Sequence, residues 1–142
     1  MNNIEEIVIN TDGGSRGNPG PAAVGVVAKA QDKTLFTISK KIGENTNNVA
    51  EYTAVILAIK KIIDDKIVSE KLKFILDSEL IVKQITGLYK IKAPHLQTLR
   101  QEIVDLITLG RKEKIINLVT FTHVLREKNK EADKLVNLAL DN

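Results

Sequence analysis

An α/β fold, a mixed sheet with helices on its faces, is predicted by three features of the chain. Three short apolar segments follow one another before residue 43. Residues 48–65 then switch to helical spacing. From there to the end, strand-like and helix-like segments alternate.

Residues 4–12 contain the β-branched run Ile7-Val8-Ile9 and read as a strand, with Asp12 at its end. Gly13, Gly14, Gly17, Gly20 and Pro19 then force a turn. Residues 22–30 and 34–42 are strands separated by Gln31-Asp32-Lys33, a polar link short enough for an antiparallel hairpin. In 48–65, Val55, Ala58, Ile59, Ile62 and Ile63 form a stripe wide enough to cover a sheet. Residues 72–76 read as a strand, and Ser78 to Thr86 as a helix stopped by Gly87. After Ala93-Pro94 a second amphipathic helix ends at Gly110. Residues 115–123 are a strand, and 129–140 a last helix with Ala132, Leu135, Val136, Ala139 and Leu140 on one side. No repeat or linker interrupts this order, so residues 1–142 are expected to form one domain with its own core.

Composition narrows the chemistry. There is no cysteine, which excludes disulfides and thiolate metal sites and fits a reducing cytoplasm, the expected location. His95 and His123 are the only imidazoles, so a metal site must rest on carboxylates, which favours hard cations. Met1-Asn2-Asn3-Ile4-Glu5-Glu6 lacks the pattern of a signal peptide, and no apolar run approaches a membrane span, so no membrane partner is expected. The net charge is +3, and residues 111–134 alone hold seven bases against four acids. That segment is either a solvated surface or a face for a polyanion. With no tryptophan, two tyrosines and three phenylalanines, a base-stacking platform is not expected.

Four acids sit at the edges of the expected elements. Asp12 is a strand-end acid or simply a turn residue. Glu51 follows Asn48 by three, the spacing of a capping box with Asn48 as N-cap. It also heads the stripe of Val55, Ala58 and Ile62, a direction that a capping acid does not need. Asp77 follows a strand and is an N-cap candidate. In open α/β sheets functional groups gather beyond strand ends, so parallel neighbours would bring Asp12 and Asp77 side by side. Asp133 favours the dipole at the start of the last helix and borders the sheet beside Ala132. Like charges so close need a shared proton or a cation between them. His123, at the end of the last strand, reads as structural or catalytic. The glycine-rich turn lacks the Gly-Lys-Ser/Thr ending that would cradle a triphosphate.

These pieces resemble the ribonuclease H family, type 1: Thr11-Asp12-Gly13-Gly14 with Gly17-Asn18-Pro19-Gly20, Asn47-Asn48-Val49-Ala50-Glu51-Tyr52, Asp77-Ser78, and His123 through Asp133. They stand in the family's order from residue 4 to 140. The resemblance implies a five-stranded mixed sheet, three strands antiparallel and two further ones parallel, flanked by helices. It implies an endonuclease, acting as a monomer, that cuts the RNA strand of RNA–DNA hybrids and leaves 5′-phosphate and 3′-hydroxyl ends. Asp12, Glu51, Asp77 and Asp133 match the acids that hold two Mg2+ ions, with Mn2+ as a substitute, the ions roughly 3.5–4 Å apart. His123 matches a residue that assists proton transfer or product release. Gly13, Gly14, Asn18, Asn47, Asn48 and Ser78 match substrate contacts along the minor groove and the RNA sugars. Thr46 with Asn18 matches a grip on a DNA-strand phosphate. Two departures stand out: Glu79 replaces the glutamine that many members carry, and residues 93–109 hold no tryptophan-bearing basic protrusion, which implies modest hybrid affinity. A catalytically weak or inactive module of the same fold, gripping hybrid or structured RNA, is the alternative.

Overall fold

The computed structural model describes residues 4–142; the expectation for Met1-Asn2-Asn3 lies outside them. The apolar segments become β1 (Ile4–Ser15), β2 (Gly20–Ala30) and β3 (Lys33–Asn45), then α1 (Asn47–Asp64), β4 (Ser69–Leu76), α2 (Glu79–Ile85), α3 (Pro94–Lys112), β5 (Leu118–His123) and α4 (Lys130–Leu140). The sheet order is β3-β2-β1-β4-β5. β1 pairs antiparallel with β2, and β2 with β3; β1 pairs parallel with β4, and β4 with β5. The five-stranded mixed sheet expected from the sequence is the one observed.

Alternation along β1 assigns its two faces. Ile7, Ile9, Thr11 and Gly13 point toward α1, where a Cβ on Gly13 would meet the carbonyl carbon of Ala50. Asn10, Asp12 and Gly14 point the other way, and a Cβ on Gly14 would contact Val136 of α4. The main core lies under α1 and α3, around Tyr52, Ile59, Ile62, Leu72 and Phe74, all fully buried. Phe74 stacks on Phe121 with ring centroids 5.0 Å apart. Under α4 a small second core joins Ala23, Val136 and Ala139.

Several boundaries differ from expectation. β1 runs on through Gly13 and Gly14 to Ser15, because β2 continues to pair with it. The N-cap of α1 is Thr46, whose hydroxyl accepts from the Val49 amide; Asn48 is already inside the helix, so no capping box forms. Ser78, not Asp77, caps α2 by accepting from Ile81. Gly110 does not stop α3. It lies inside the last turn because a Cβ there would stand 2.4 Å from Ile116 Cδ1. Ile115 and Ile116 are buried in the bend behind it and precede β5 instead of starting it. Gly87 does end α2, at φ +85°.

Candidate active site

Asp12 faces Gly25 of β2, two residues beyond Asn10, the last residue of β1 paired with β4. Its other side therefore opens on the gap past the end of β4, where Asp77 follows Leu76. Two glycines let helices close on this point. Gly13 allows α1 to approach until the Gly13 amide donates to Glu51 Oε1 at 3.0 Å. On the other face, a Cβ at Gly25 would lie 2.1 Å from the carbonyl oxygen of Ala132, so only glycine lets the start of α4, with Asp133, settle against β2.

The result is a carboxylate cluster. Asp12, Glu51 and Asp77 each offer an oxygen within 4.8 Å of the others. Asp133, half-buried, lies outside that trio, yet its charge reaches Asp12 and helps to raise that carboxyl. All four line one cavity of about 370 Å³. Burial, followed by the charges of Asp77 and Asp133, raises the Asp12 carboxyl to about 7 against a lowering contact with Glu51. Burial and the adjacent Asp12 carboxylate push Glu51 well above the usual range. Glu51 Oε2 is buried with no hydrogen-bond partner. An orphaned carboxylate oxygen among other carboxylates, with no imidazole or thiol beside it, is a donor set suited to a hard divalent cation. Burial and repulsion both penalise the ionised form of these carboxyls, and a bound cation would offset both.

Of the other expected contacts, Gly13, Gly14, Asn47, Asn48 and Ser78 line the cavity. Thr46 and Asn18 stand behind them. Asn18 Oδ1 accepts from the Asn47 amide at 3.0 Å, and Asn47 Oδ1 accepts from the Ser15 amide at 2.9 Å, which ties the glycine-rich turn to the start of α1. His123, exposed and opposite Leu76, is not among the lining residues; its Nδ1 lies 4.0 Å from Glu79 Oε2.

Asn129 is a part of the site that sequence reasoning missed. It is 1 % exposed, and its Nδ2 donates to Thr11 O at 2.9 Å and to Asp77 Oδ2 at 3.3 Å, while its Oδ1 accepts from Asn10 at 2.9 Å. Asparagine before a helix looks like a cap, yet this side chain makes no capping bond and instead steadies Asp77. Arg16 and Arg126 also line the cavity, and nothing in residue spacing singled them out.

Comparison with known proteins gives the same picture. The family model described as reverse transcriptase-like matches residues 10–139. A bifunctional protein of Mycobacterium tuberculosis is 38% identical over 138 residues, 96% of this chain but 36% of that protein. Ribonuclease HI of Halobacterium salinarum is 41% identical over 131 residues, 92% of this chain and 62% of the relative. The chain thus spans about a third of the mycobacterial relatives it matches. Among solved structures, LC11 ribonuclease H1 in complex with an RNA/DNA hybrid superposes with TM-score 0.85 at 46% identity, covering 95% of this chain and 96% of the other. With that identity, that coverage and the acids in place, the chain belongs to the reverse transcriptase-like family, among its type 1 ribonucleases H.

Proposed function

We propose that the protein is an endonuclease that hydrolyses the RNA strand of RNA–DNA hybrids, with Asp12, Glu51, Asp77 and Asp133 holding two Mg2+ ions that Mn2+ can replace. The observation that carries this reading is the convergence of acids from β1, α1 and the end of β4 on one point, with a buried Glu51 oxygen left unpartnered. Divalent cations bound there would lower the pKa of an attacking water and stabilise the leaving oxygen, which leaves 5′-phosphate and 3′-hydroxyl ends.

The remaining roles belong to the chain itself. Asn129 and the Gly13 amide hold Asp77 and Glu51 in fixed directions, which is preorganisation of the kind that electrostatic catalysis needs. Asn47 uses its carbonyl oxygen on Ser15, so its amide nitrogen is the group left to donate to a ribose 2′-hydroxyl. Asn48, Ser78 and the Gly13-Gly14 backbone line the same wall and would read sugar type and groove shape, with little sequence preference. Thr46, whose oxygen accepts from Val49, still has a hydroxyl proton to offer a DNA-strand phosphate beside Asn18. His123, beside Glu79 at the end of β5, would assist proton transfer or product release from outside the acid cavity. The protein would act as a monomer in the cytoplasm, a setting supported by the lack of cysteine. No helix among the described residues is long and apolar enough to cross a membrane.

A labelled hybrid incubated with Mg2+ and either the wild type or Asp77→Asn tests the reading. Cleavage confined to the RNA strand, lost in the variant, is expected. Equal cleavage by both proteins would remove Asp77 from the mechanism. Binding without turnover by the wild type, in Mg2+ and again with Mn2+ in its place, would leave only a binding module.

A further inference from the structure

We infer that Arg16 binds a backbone phosphate of the incoming nucleic acid, and that Asp141 holds its guanidinium until that phosphate displaces it. The inference rests on the hybrid-nuclease reading and names a contact that reading lacks.

Basic side chains at the rim of a cavity lined by four acids favour the approach of a polyanion. Arg16 is placed for this. Its amide donates to Pro21 O at 2.8 Å, and its carbonyl is packed so closely on Gly20 that a Cβ there would stand 2.1 Å away. Ser15, next to it, is tied through its amide to Asn47. The side chain therefore starts from a fixed point at the cavity wall, between the glycine-rich turn and the start of α1. Its far end is not fixed in the same way. Arg16 Nη2 meets Asp141 Oδ1 at 2.6 Å, with the two side chains 48% and 65% exposed.

A bridge this exposed is held weakly and is screened by salt. A phosphate can replace it with two parallel charge-assisted bonds to the same planar guanidinium. Asp141 follows the last turn of α4, whose Val136, Asn137 and Leu140 line the same cavity, so the latch lies beside the site it serves. The competing account is an anchor: Arg16 merely pins the end of α4 to the turn. The two accounts differ in sign. A latch makes Asp141 a competitor of the substrate, and an anchor makes it a partner in stability alone.

Steady-state cleavage of a hybrid in Mg2+, over a series of salt concentrations, separates them. Arg16→Ala should raise KM several-fold with kcat nearly unchanged. It should also flatten the slope of log(kcat/KM) against log[salt] by about 0.9, the loss of one phosphate contact. Asp141→Asn should lower KM, and Arg16→Lys should retain the wild-type slope. Asp141→Asn keeps Arg16 in place, so the test stands even if Arg16→Ala folds poorly. If Asp141→Asn, and Arg16→Ala where it folds, change only the melting temperature, leaving KM and the salt slope at wild-type values, the latch is overturned and the nuclease reading survives. If the wild type cuts no hybrid, the nuclease reading fails first and the latch falls with it.

Discussion

Asp12 is buried to 7 % exposure among three other carboxylates, and burial is the main reason its carboxyl is lifted to about 7. Between pH 4 and pH 7 the native protein without metal therefore keeps a proton that the unfolded chain has already released, its ordinary value being 3.8. The native state binds more protons over that window, so the stability owed to this group is greatest below it and is lost as pH rises. Thermal unfolding in EDTA should show the wild type melting lower at pH 8 than at pH 5. Asp12→Asn should flatten that difference, and Mg2+ should restore the wild type at pH 8 but not the variant. An unchanged pH response in Asp12→Asn would show that the raised carboxyl has been misassigned to Asp12. At this scale the sequence was informative about residue type and weak on partners. The acids stood out by position, whereas the bonds of Asn129 to Thr11, Asp77 and Asn10 join residues up to 119 apart in the chain, which no local pattern reports.

Helices and strands deliver the acids, and glycine sets how closely they approach. Gly25 faces Asp12 across the β1–β2 pair and lies under the backbone of Ala132, one residue before the fourth acid. Gly25→Ala should cost about 1–3 kcal/mol of stability, because backbone and not a movable side chain occupies the space. It should also cut hybrid cleavage more than Gly43→Ala, although Gly43 sits at φ +78° with open space around its missing Cβ. Equal activity loss in the two variants, measured beside their melting temperatures, would argue against close approach of α4 as the reason for glycine at 25. The periodicity of residues 48–65 and 129–140 made these helices legible, because one face of each had to be apolar to cover the sheet. Their ends were less so. Thr46, Asn47 and Asn48 are all acceptable N-caps, and which one serves depends on how the chain leaves β3. Gly110 looked like a helix stop, but its reason is the packing of Ile116, a contact visible only in three dimensions.

Over the whole molecule, the order of strands decides the chemistry. Placing β1 at the centre, antiparallel to β2 and parallel to β4, puts the ends of two strands and the starts of two helices around a single gap. The alternation of segments predicted the mixed sheet, position at the edges of elements marked the four acids, and the family resemblance supplied the strand count. The sequence could not show that His123 stands apart from the cavity or that two arginines line it, since both depend on where the links after β5 and β1 leave their side chains. The proposed activity requires paired cations held between the acids. A crystal soaked in Mn2+ and recorded at the manganese absorption edge tests this most directly. Anomalous density among the oxygens of Asp12, Glu51 and Asp77, with a second peak toward Asp133, is the predicted result. Ordered manganese found only elsewhere on the molecule, with these carboxylates unliganded at neutral pH, would contradict it.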